Sequence, residues 1–264
     1  MALKLLVRLL LCWLISFASV SMAQNTLSGV VLEPLVAASD PWPPYVDEKH
    51  PMGGVSVQIA DAAFRTQGYT VSNRLMPWAR ALEETKHGRI DLILDAWWSQ
   101  ERSEHFMFSR PYINGPVKFL KRKGDPFKYS DLSSLKGKSI ALVNNYAYGD
   151  AFLSSKHYER ALVTNFLQAA YMLSLGRVDL TLENELVARS RLATEAPDVL
   201  DKLEFAEQPL ADNYIYLMAS YKHPRHLKII GAFNKGLAII IENGTYRRIM
   251  QENGLAIPKM FPLQ

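Results

Sequence analysis

The chain has 264 residues, of which 48% are hydrophobic and 21% are charged, and its formal net charge is +4 at pH 7. This is the composition of a folded globular protein with enough apolar side chains to build a core. No block of like charge extends beyond the short run Lys121-Arg122-Lys123, so we predict no nucleic-acid partner. The length fits one large domain or two lobes of roughly 100 residues each.

The N-terminus has the pattern of a secretory signal peptide. Lys4 and Arg8 supply a basic start, an apolar run follows, and Ser21 and Ala23 place small residues at the cleavage positions. The apolar run is shorter than the roughly 20 residues that a spanning helix needs. We therefore predict export with cleavage after Ala23, against the alternative of an uncleaved membrane anchor. Cys12, the only cysteine, lies in this segment, so the mature chain would have neither a disulfide nor a cysteine metal site.

Beyond this segment, short apolar strands alternate with helical patterns. The predicted strands cover residues 34–39, 70–75, 91–96, 139–143, 178–182 and 214–220, and a further apolar run covers residues 117–120. The predicted helices cover residues 55–67, 77–88, 165–176, a stretch that ends near 194, and 224–243. Glycine follows most of these helices, as the chemistry of helix C-termini prefers. This alternation predicts α/β lobes with mostly parallel sheets.

The alternation is interrupted twice, and the interruptions suggest how the chain is divided. Asn114-Gly115-Pro116 separates the first α/β half from the second, and a loop over residues 209–213 precedes the last predicted strand. We predict a signal peptide over residues 1–23, one lobe built from residues 24–116 and 212–264, and a second lobe over residues 117–211. Two strands would join the lobes.

Several short motifs resemble a known family in their order and spacing. They are Asp40 with Pro43-Pro44-Tyr45, Gly53-Gly54, Gly88-Arg89-Ile90-Asp91, Ser99-Gln100-Glu101-Arg102, Phe108-Ser109-Arg110-Pro111-Tyr112, Leu135-Lys136-Gly137-Lys138 and Gly176-Arg177-Val178-Asp179. Over residues 30–255 the chain is similar to the family 3 bacterial solute-binding proteins, the polar-amino-acid receptors of ABC importers.

The resemblance implies a two-lobed type II periplasmic-binding fold and a location in the periplasm. It also implies a monomer without a cofactor that closes on a small polar ligand, an amino acid or a related carboxylate. A membrane permease of an ABC importer would then receive that ligand.

Arg102 is the first candidate for contact with the ligand. In the family the matching arginine grips the ligand α-carboxylate, and a guanidinium suits this task because its planar fork makes two charge-assisted hydrogen bonds. The alternative is a surface arginine that pairs with Glu101 or Glu104. Ser99, from the same motif, is a further candidate.

The loop after the first strand supplies three more candidates. The family places an aromatic here that stacks on the ligand, which fits Trp42 and Tyr45, and core packing is the alternative for both. Asp40 either accepts a hydrogen bond from the ligand or initiates a turn before Pro41.

Two segments of the second half are also candidates. In the family, a loop matching Asn145-Tyr146-Ala147 turns backbone amides toward the ligand carboxylate; the family's glycine is replaced by Asn145, which tolerates left-handed geometry. Where the family has an aspartate that pairs with the ligand ammonium, this sequence has Asn184 with Glu183 beside it. Either Glu183 takes over that role or the ligand lacks a full α-ammonium. Alternatively, Glu183 is a first-turn helix carboxylate.

Four residues depart from the general family pattern. Trp97 stands where the family often has a hydroxyl, so it shrinks the pocket or supplies a stacking wall. Asp95 would add a carboxylate near the cleft. Trp78 and Arg80 belong to a Pro-Trp-x-Arg motif, typical of a subgroup that is less well tied to one ligand. Either both side chains are directed into the cleft, or Trp78 packs in the core and Arg80 is exposed to solvent.

Two other functions remain open. A dehydratase-like enzyme on the same fold would need a positioned acid or base, for which Asp95, Glu183 and the histidines at 50, 87 and 105 are available. No catalytic pairing, metal-ligand spacing or phosphate-binding glycine loop is recognisable, so we predict neither an enzyme nor a metal site. A sensory binding protein that serves a signalling receptor would share the ligand chemistry of an importer.

Overall fold

The computed structural model describes residues 32–258, so the predicted signal peptide lies outside the described residues. The strands are β1 (Glu33–Ser39), β2 (Tyr69–Leu75), β3 (Leu92–Trp97), β4 (Phe106–Phe108), β5 (Ile113–Arg122), β6 (Ser139–Val143), β7 (Glu159–Val163), β8 (Leu180–Asn184), β9 (Leu203–Phe205) and β10 (Ala211–Ser220).

Helices cover most of the connections between these strands. They are α1 (Val55–Arg65), α2 (Trp78–Lys86), α3 (Gln100–Ser103), α4 (Asp150–Ser154), α5 (Phe166–Ser174), α6 (Glu185–Glu195), α7 (Pro197–Leu200), α8 (His226–Glu242) and α9 (Thr245–Glu252), with a 3₁₀ turn at Leu132–Leu135. Within residues 32–258, no helix combines the length and apolar character that a membrane crossing requires.

The strands pair in the order β2-β1-β3-β10-β5-β8-β6-β7, with β4 on β10 and β9 on β5. Strand β1 is parallel to β2 and β3, and β6 is parallel to β7 and β8. The two central strands, β5 and β10, are antiparallel to each other and to their outer neighbours. We call the part built on β2, β1 and β3 the β1 half, and the part built on β8, β6 and β7 the β6 half. This is the expected arrangement of two α/β units.

Strands β5 and β10 connect the two halves. Residues 113–117 of β5 pair with residues 211–215 of β10. Beyond this overlap, β5 continues along β8, while β10 continues along β3. The chain therefore passes from one half to the other on two adjacent antiparallel strands.

The innermost strand of each half carries polar residues in a buried setting. All six residues of β3 are buried, as are all five of β8, as expected of strands that are covered on both faces. Asp95 lies in β3, and Glu183 and Asn184 end β8. Because ligands of open α/β sheets bind outside the carboxyl ends of the strands, these positions direct attention to the space between the halves.

The Gly-x-x-Asp motifs perform the same task in both halves. Asp91 Oδ2 accepts a hydrogen bond from the Val36 N–H at 2.7 Å, and Asp179 Oδ2 accepts one from the Ser139 N–H at 2.8 Å. Each aspartate thus binds the neighbouring parallel strand before its own strand begins. Strands β3 and β8 each begin at the residue after this aspartate, one or two residues later than the sequence patterns suggest.

Candidate functional site

A small cavity lies between the two halves, and we call it the central cavity. It is lined by Asp40, Trp42, Trp78, Asp95, Trp97, Arg102 and Tyr146. Five of these are candidates from the sequence, and the other two, Trp78 and Asp95, come from positions that depart from the general family pattern. The cavity leaves about 20 Å³ for the centre of a water molecule, which is room for one water. Its aromatic side chains therefore fill most of the space.

Arg102 is buried and fixed at its base by a helix cap. The Ser99 hydroxyl accepts the Arg102 N–H at 3.2 Å and begins helix α3. The guanidinium donates to the carbonyl oxygen of Trp97 at 2.6 Å, and its Cζ lies 4.9 Å from the ring centroid of Trp78. It forms no ion pair with a carboxylate of the described residues, so the alternative of a surface pair with Glu101 or Glu104 is wrong. Burial lowers the pKa of Arg102 to about 10.

A main-chain carbonyl of the β6 half completes the arginine's environment. Asn145 O accepts hydrogen bonds from Arg102 Nη2 at 2.6 Å and from Trp78 Nε1 at 3.1 Å. The φ angle of Asn145 is 62°, in the left-handed region that asparagine tolerates better than most residues. The unusual backbone conformation of one loop residue thus presents its carbonyl to two donors of the opposite half.

Two carboxyl groups line the same cavity. Asp95 Oδ1 accepts a hydrogen bond from the Ser39 hydroxyl at 2.7 Å, and Asp40 Oδ2 accepts one from the Tyr146 hydroxyl at 3.4 Å. Desolvation raises the pKa of Asp40 to about 6. It raises the pKa of Asp95 well above its ordinary value, and the negative charge of Asp40 adds to this rise. The two groups therefore disfavour each other's ionised form.

Trp97 forms the back wall of the cavity. Its ring centroid lies 5.6 Å from that of Trp42, 5.5 Å from that of Tyr146 and 5.8 Å from that of Tyr148. The indole is buried, and its N–H has no hydrogen-bond partner among the described residues. The residue thus both narrows the pocket and provides an aromatic wall.

Glu183 and Asn184 lie in a second layer and do not line the central cavity. Glu183 Oε1 accepts hydrogen bonds from Trp42 Nε1 at 3.3 Å and from the Asn184 N–H at 2.8 Å, while its Oε2 has no partner among the described residues. Desolvation raises the pKa of Glu183 to about 8. Asn184 caps helix α6, because its Oδ1 accepts the N–H groups of Leu186 and Val187.

Tyr45 is fully buried behind the cavity, with its ring centroid 4.9 Å from that of Trp42. Its neighbours fit the core-packing alternative. A Cβ atom added to Gly115 would lie 3.1 Å from the Tyr45 hydroxyl oxygen and 2.5 Å from Asn184 Nδ2. The crossing strand β5 therefore approaches this layer so closely that a Cβ atom at residue 115 would force a neighbouring group to shift.

A second, larger cavity shares Arg102 and Tyr146 with the central one, and we call it the outer cavity. Ser99 and Ala147 line it, and its volume of about 380 Å³ is that of a small-ligand pocket. Arg80 is exposed, which fits the solvation alternative. Within residues 32–258, no group of three or more His, Cys, Asp or Glu side chains is arranged to hold a metal ion.

Comparison by sequence finds relatives that match most of this chain. The family model of the bacterial extracellular solute-binding proteins, family 3, matches residues 35–255. The arginine-binding periplasmic protein of Mannheimia haemolytica is 23% identical over 227 residues, which cover 83% of this chain and 88% of that protein.

Solved structures share the fold at similar identities. A histidine kinase sensor domain with similarity to periplasmic binding proteins superposes with a TM-score of 0.74 at 21% identity, over 86% of this chain and 99% of that one. The amino acid ABC transporter substrate-binding protein AbpA of Streptococcus pneumoniae, bound to L-arginine, superposes with a TM-score of 0.68 at 20% identity. The superposition covers 83% of this chain and 94% of that one. These likenesses show the two-lobed periplasmic-binding fold.

Proposed function

The chain belongs to the bacterial extracellular solute-binding proteins of family 3, and from this membership we propose that it captures an amino acid between its two halves. Solute binding is the role of the family. Two relatives support an amino acid as the solute, since one is an arginine-binding periplasmic protein and another is bound to L-arginine.

The observation that carries the proposal is the meeting of opposite charges in one aromatic-walled cavity. An amino acid carries a carboxylate and an ammonium a few ångströms apart. Arg102 would receive the carboxylate through its guanidinium fork, and Asp40 would receive the ammonium. The indoles of Trp42 and Trp97 would cover the rest of the ligand and exclude water.

Hinge motion on β5 and β10 would give the ligand access. The central cavity has room for one water only, so an amino acid enters when the two predicted lobes move apart. One lobe comprises residues 24–116 together with 212–264, and the other comprises residues 117–211. Four side-chain hydrogen bonds of the described residues link the cavity-lining parts of the two halves: Arg102 and Trp78 to Asn145 O, Trp42 to Glu183, and Tyr146 to Asp40. The bonds of Trp78, Trp42 and Tyr146 would form again on closure and add to the contacts that favour the closed state. The ligand carboxylate would take the place of Asn145 O at Arg102.

Export and delivery complete the proposal. The signal peptide would be cleaved after Ala23, and the mature monomer would work in the periplasm and deliver its ligand to the permease of an ABC importer. A sensory receptor is the alternative partner, supported by the likeness to a histidine kinase sensor domain. The family and the structural neighbours are binding proteins, so we propose no catalysis.

A thermal-shift screen of the chain from Gln24 onward, with the standard amino acids, tests this proposal. A ligand that binds only the folded protein raises the melting temperature by mass action. We expect at least one amino acid to do so and to be recovered unchanged. Arg102→Lys, which keeps the charge but loses the fork, should weaken binding about tenfold or more. No shift with any amino acid, or consumption of the ligand, would contradict the proposal.

A further inference from the structure

The central cavity contains one more acidic group than a simple zwitterion can satisfy. Asp40 and Asp95 both line it, whereas Arg102 is its single basic lining residue. An amino acid with a neutral side chain offers one carboxylate to Arg102 and one ammonium to a single aspartate. The second aspartate is then left in a buried site without a cation.

We infer that Asp95 is a specificity-determining residue, which together with Asp40 receives a second positive charge that is carried by the ligand side chain. The inference rests on the proposed function for the carboxylate end of the ligand. With such a ligand the charges balance, because one carboxylate meets Arg102 and two cationic groups meet two aspartates.

The protein itself does not supply the missing cation. Arg102 directs its guanidinium at the carbonyl oxygens of Trp97 and Asn145, and forms no ion pair among the described residues. Arg191 is close enough to act electrostatically on Asp40, but its Nε pairs with Glu195 at 2.9 Å. A buried carboxylate without a paired cation is costly, so a cationic ligand gains more here than a neutral one.

The aromatic side chains that line the cavity also favour a cationic ligand. Three indoles line it, and the faces of indole rings attract cations within about 6 Å of the ring centroid. The buried Trp97 N–H lacks an acceptor among the described residues, and such a donor is normally satisfied by a partner. A ligand with a cationic end and acceptor atoms would serve both features.

Cation binding should also release a proton. Asp95 faces the carboxyl of Asp40 and lies near the hydroxyl groups of Tyr112 and Tyr146, with Arg102 across the cavity. Burial raises the pKa of both carboxyl groups, and the charge of Asp40 raises that of Asp95 further, so ionising both at once is costly without a cation. An incoming cation stabilises both carboxylates and lowers both pKa values, so a proton held by the pair leaves its carboxyl oxygen and passes to the buffer.

Titration calorimetry with two matched pairs of probes tests the inference: L-arginine with L-citrulline, and L-lysine with L-norleucine. Within each pair the shape is similar and only the first member carries the side-chain charge. We expect the cationic member of at least one pair to bind about tenfold tighter or more in the native protein. In Asp95→Asn that preference should fall below about threefold. Buffers of different ionisation enthalpy should reveal proton release in the native protein and its loss in the variant.

Asp198→Asn is the matched control, because Asp198 is exposed, on helix α7, and pairs with Lys202 outside the cavity. It should keep the preference. Equal affinity within both pairs in the native protein, or an unchanged preference in Asp95→Asn, would overturn the inference and leave the proposed function standing. Binding of agmatine, which has the guanidinium but no carboxylate, without binding of any amino acid would overturn the proposed function and leave the inference standing. No binding of any of these probes would overturn the inference.

Discussion

Arg102 of the β1 half donates a hydrogen bond of 2.6 Å to the main-chain carbonyl of Asn145 in the β6 half. The side chain proposed to bind the ligand carboxylate thus also joins the two halves by a hydrogen bond. A carbonyl oxygen and a carboxylate oxygen compete for the same N–H donors. Ligand affinity therefore depends on how strongly Asn145 O holds its two donors, Arg102 and Trp78.

Trp78→Phe removes one of these donors and keeps an aromatic face under the guanidinium. The indole N–H of Trp78 lies 3.1 Å from Asn145 O, and phenylalanine has no such group. We expect the free energy of unfolding to fall by about 1 kcal/mol, as for a typical lost hydrogen bond. Chemical denaturation measures this, with Trp98→Phe as the control because Trp98 is 46% exposed. Equal effects of the two variants would contradict a specific role for the Trp78 N–H.

Glu183→Gln should change how stability depends on pH. The pKa of Glu183 is raised from 4.5 to about 8 in the folded protein, so below pH 4.5 the group is protonated in both the folded and the unfolded state. As the pH rises from 4.5 to 8, the unfolded chain ionises first and the native protein loses stability relative to it. The glutamine side chain does not titrate, so this loss is absent in the variant.

The melting temperatures of the native and variant proteins should therefore diverge in favour of the variant between pH 4.5 and 8, and their difference should stay constant above pH 8. Asp40 and Arg191, which act electrostatically on Glu183, are present in both proteins. A difference that does not change with pH would show that Glu183 is ionised in the native state.

Gly115→Ala should destabilise the crossing strands. The added Cβ would lie 2.5 Å from Asn184 Nδ2, a distance that real Cβ atoms essentially never show, so the α6 cap or strand β5 must shift. We expect a loss of about 1–3 kcal/mol, as for other overpacked sites. Gly231→Ala is the control, since nothing lies within 4 Å of its added Cβ in helix α8 and alanine favours helices. A stable Gly115→Ala variant would contradict the close approach of β5 to Asn184.

The sequence patterns predicted the strands and helices of each half better than the details of the site. The Gly-x-x-Asp turns that lead to Asp91 and Asp179 mark the starts of inner strands, and their carboxylates bind the adjacent strand as local chemistry requires. Arg102 and Asp40 were also identified from short motifs. These features depend on residues that are close in sequence or on a pattern of residue types.

Other features depend on contacts between distant parts of the chain. The Ser39–Asp95 hydrogen bond joins residues 56 positions apart, and it arises only once β1 and β3 are paired. The role of Asn145 belongs to its main-chain carbonyl, which no side-chain pattern encodes. The capping role of Asn184 was missed because the predicted strand ended at residue 182, two residues before β8 ends.

Tryptophan fluorescence tests the central claim most directly, because the signal comes from the cavity itself. Of the five tryptophans, Trp42, Trp78 and Trp97 line the central cavity, Trp98 is exposed, and Trp13 is absent from a chain that begins at Gln24. In a Trp98→Phe background, titration with an amino acid that raises the melting temperature should change the emission saturably. The midpoint should match the calorimetric Kd. A ligand that raises the melting temperature but leaves the emission unchanged would place the binding site outside this cavity.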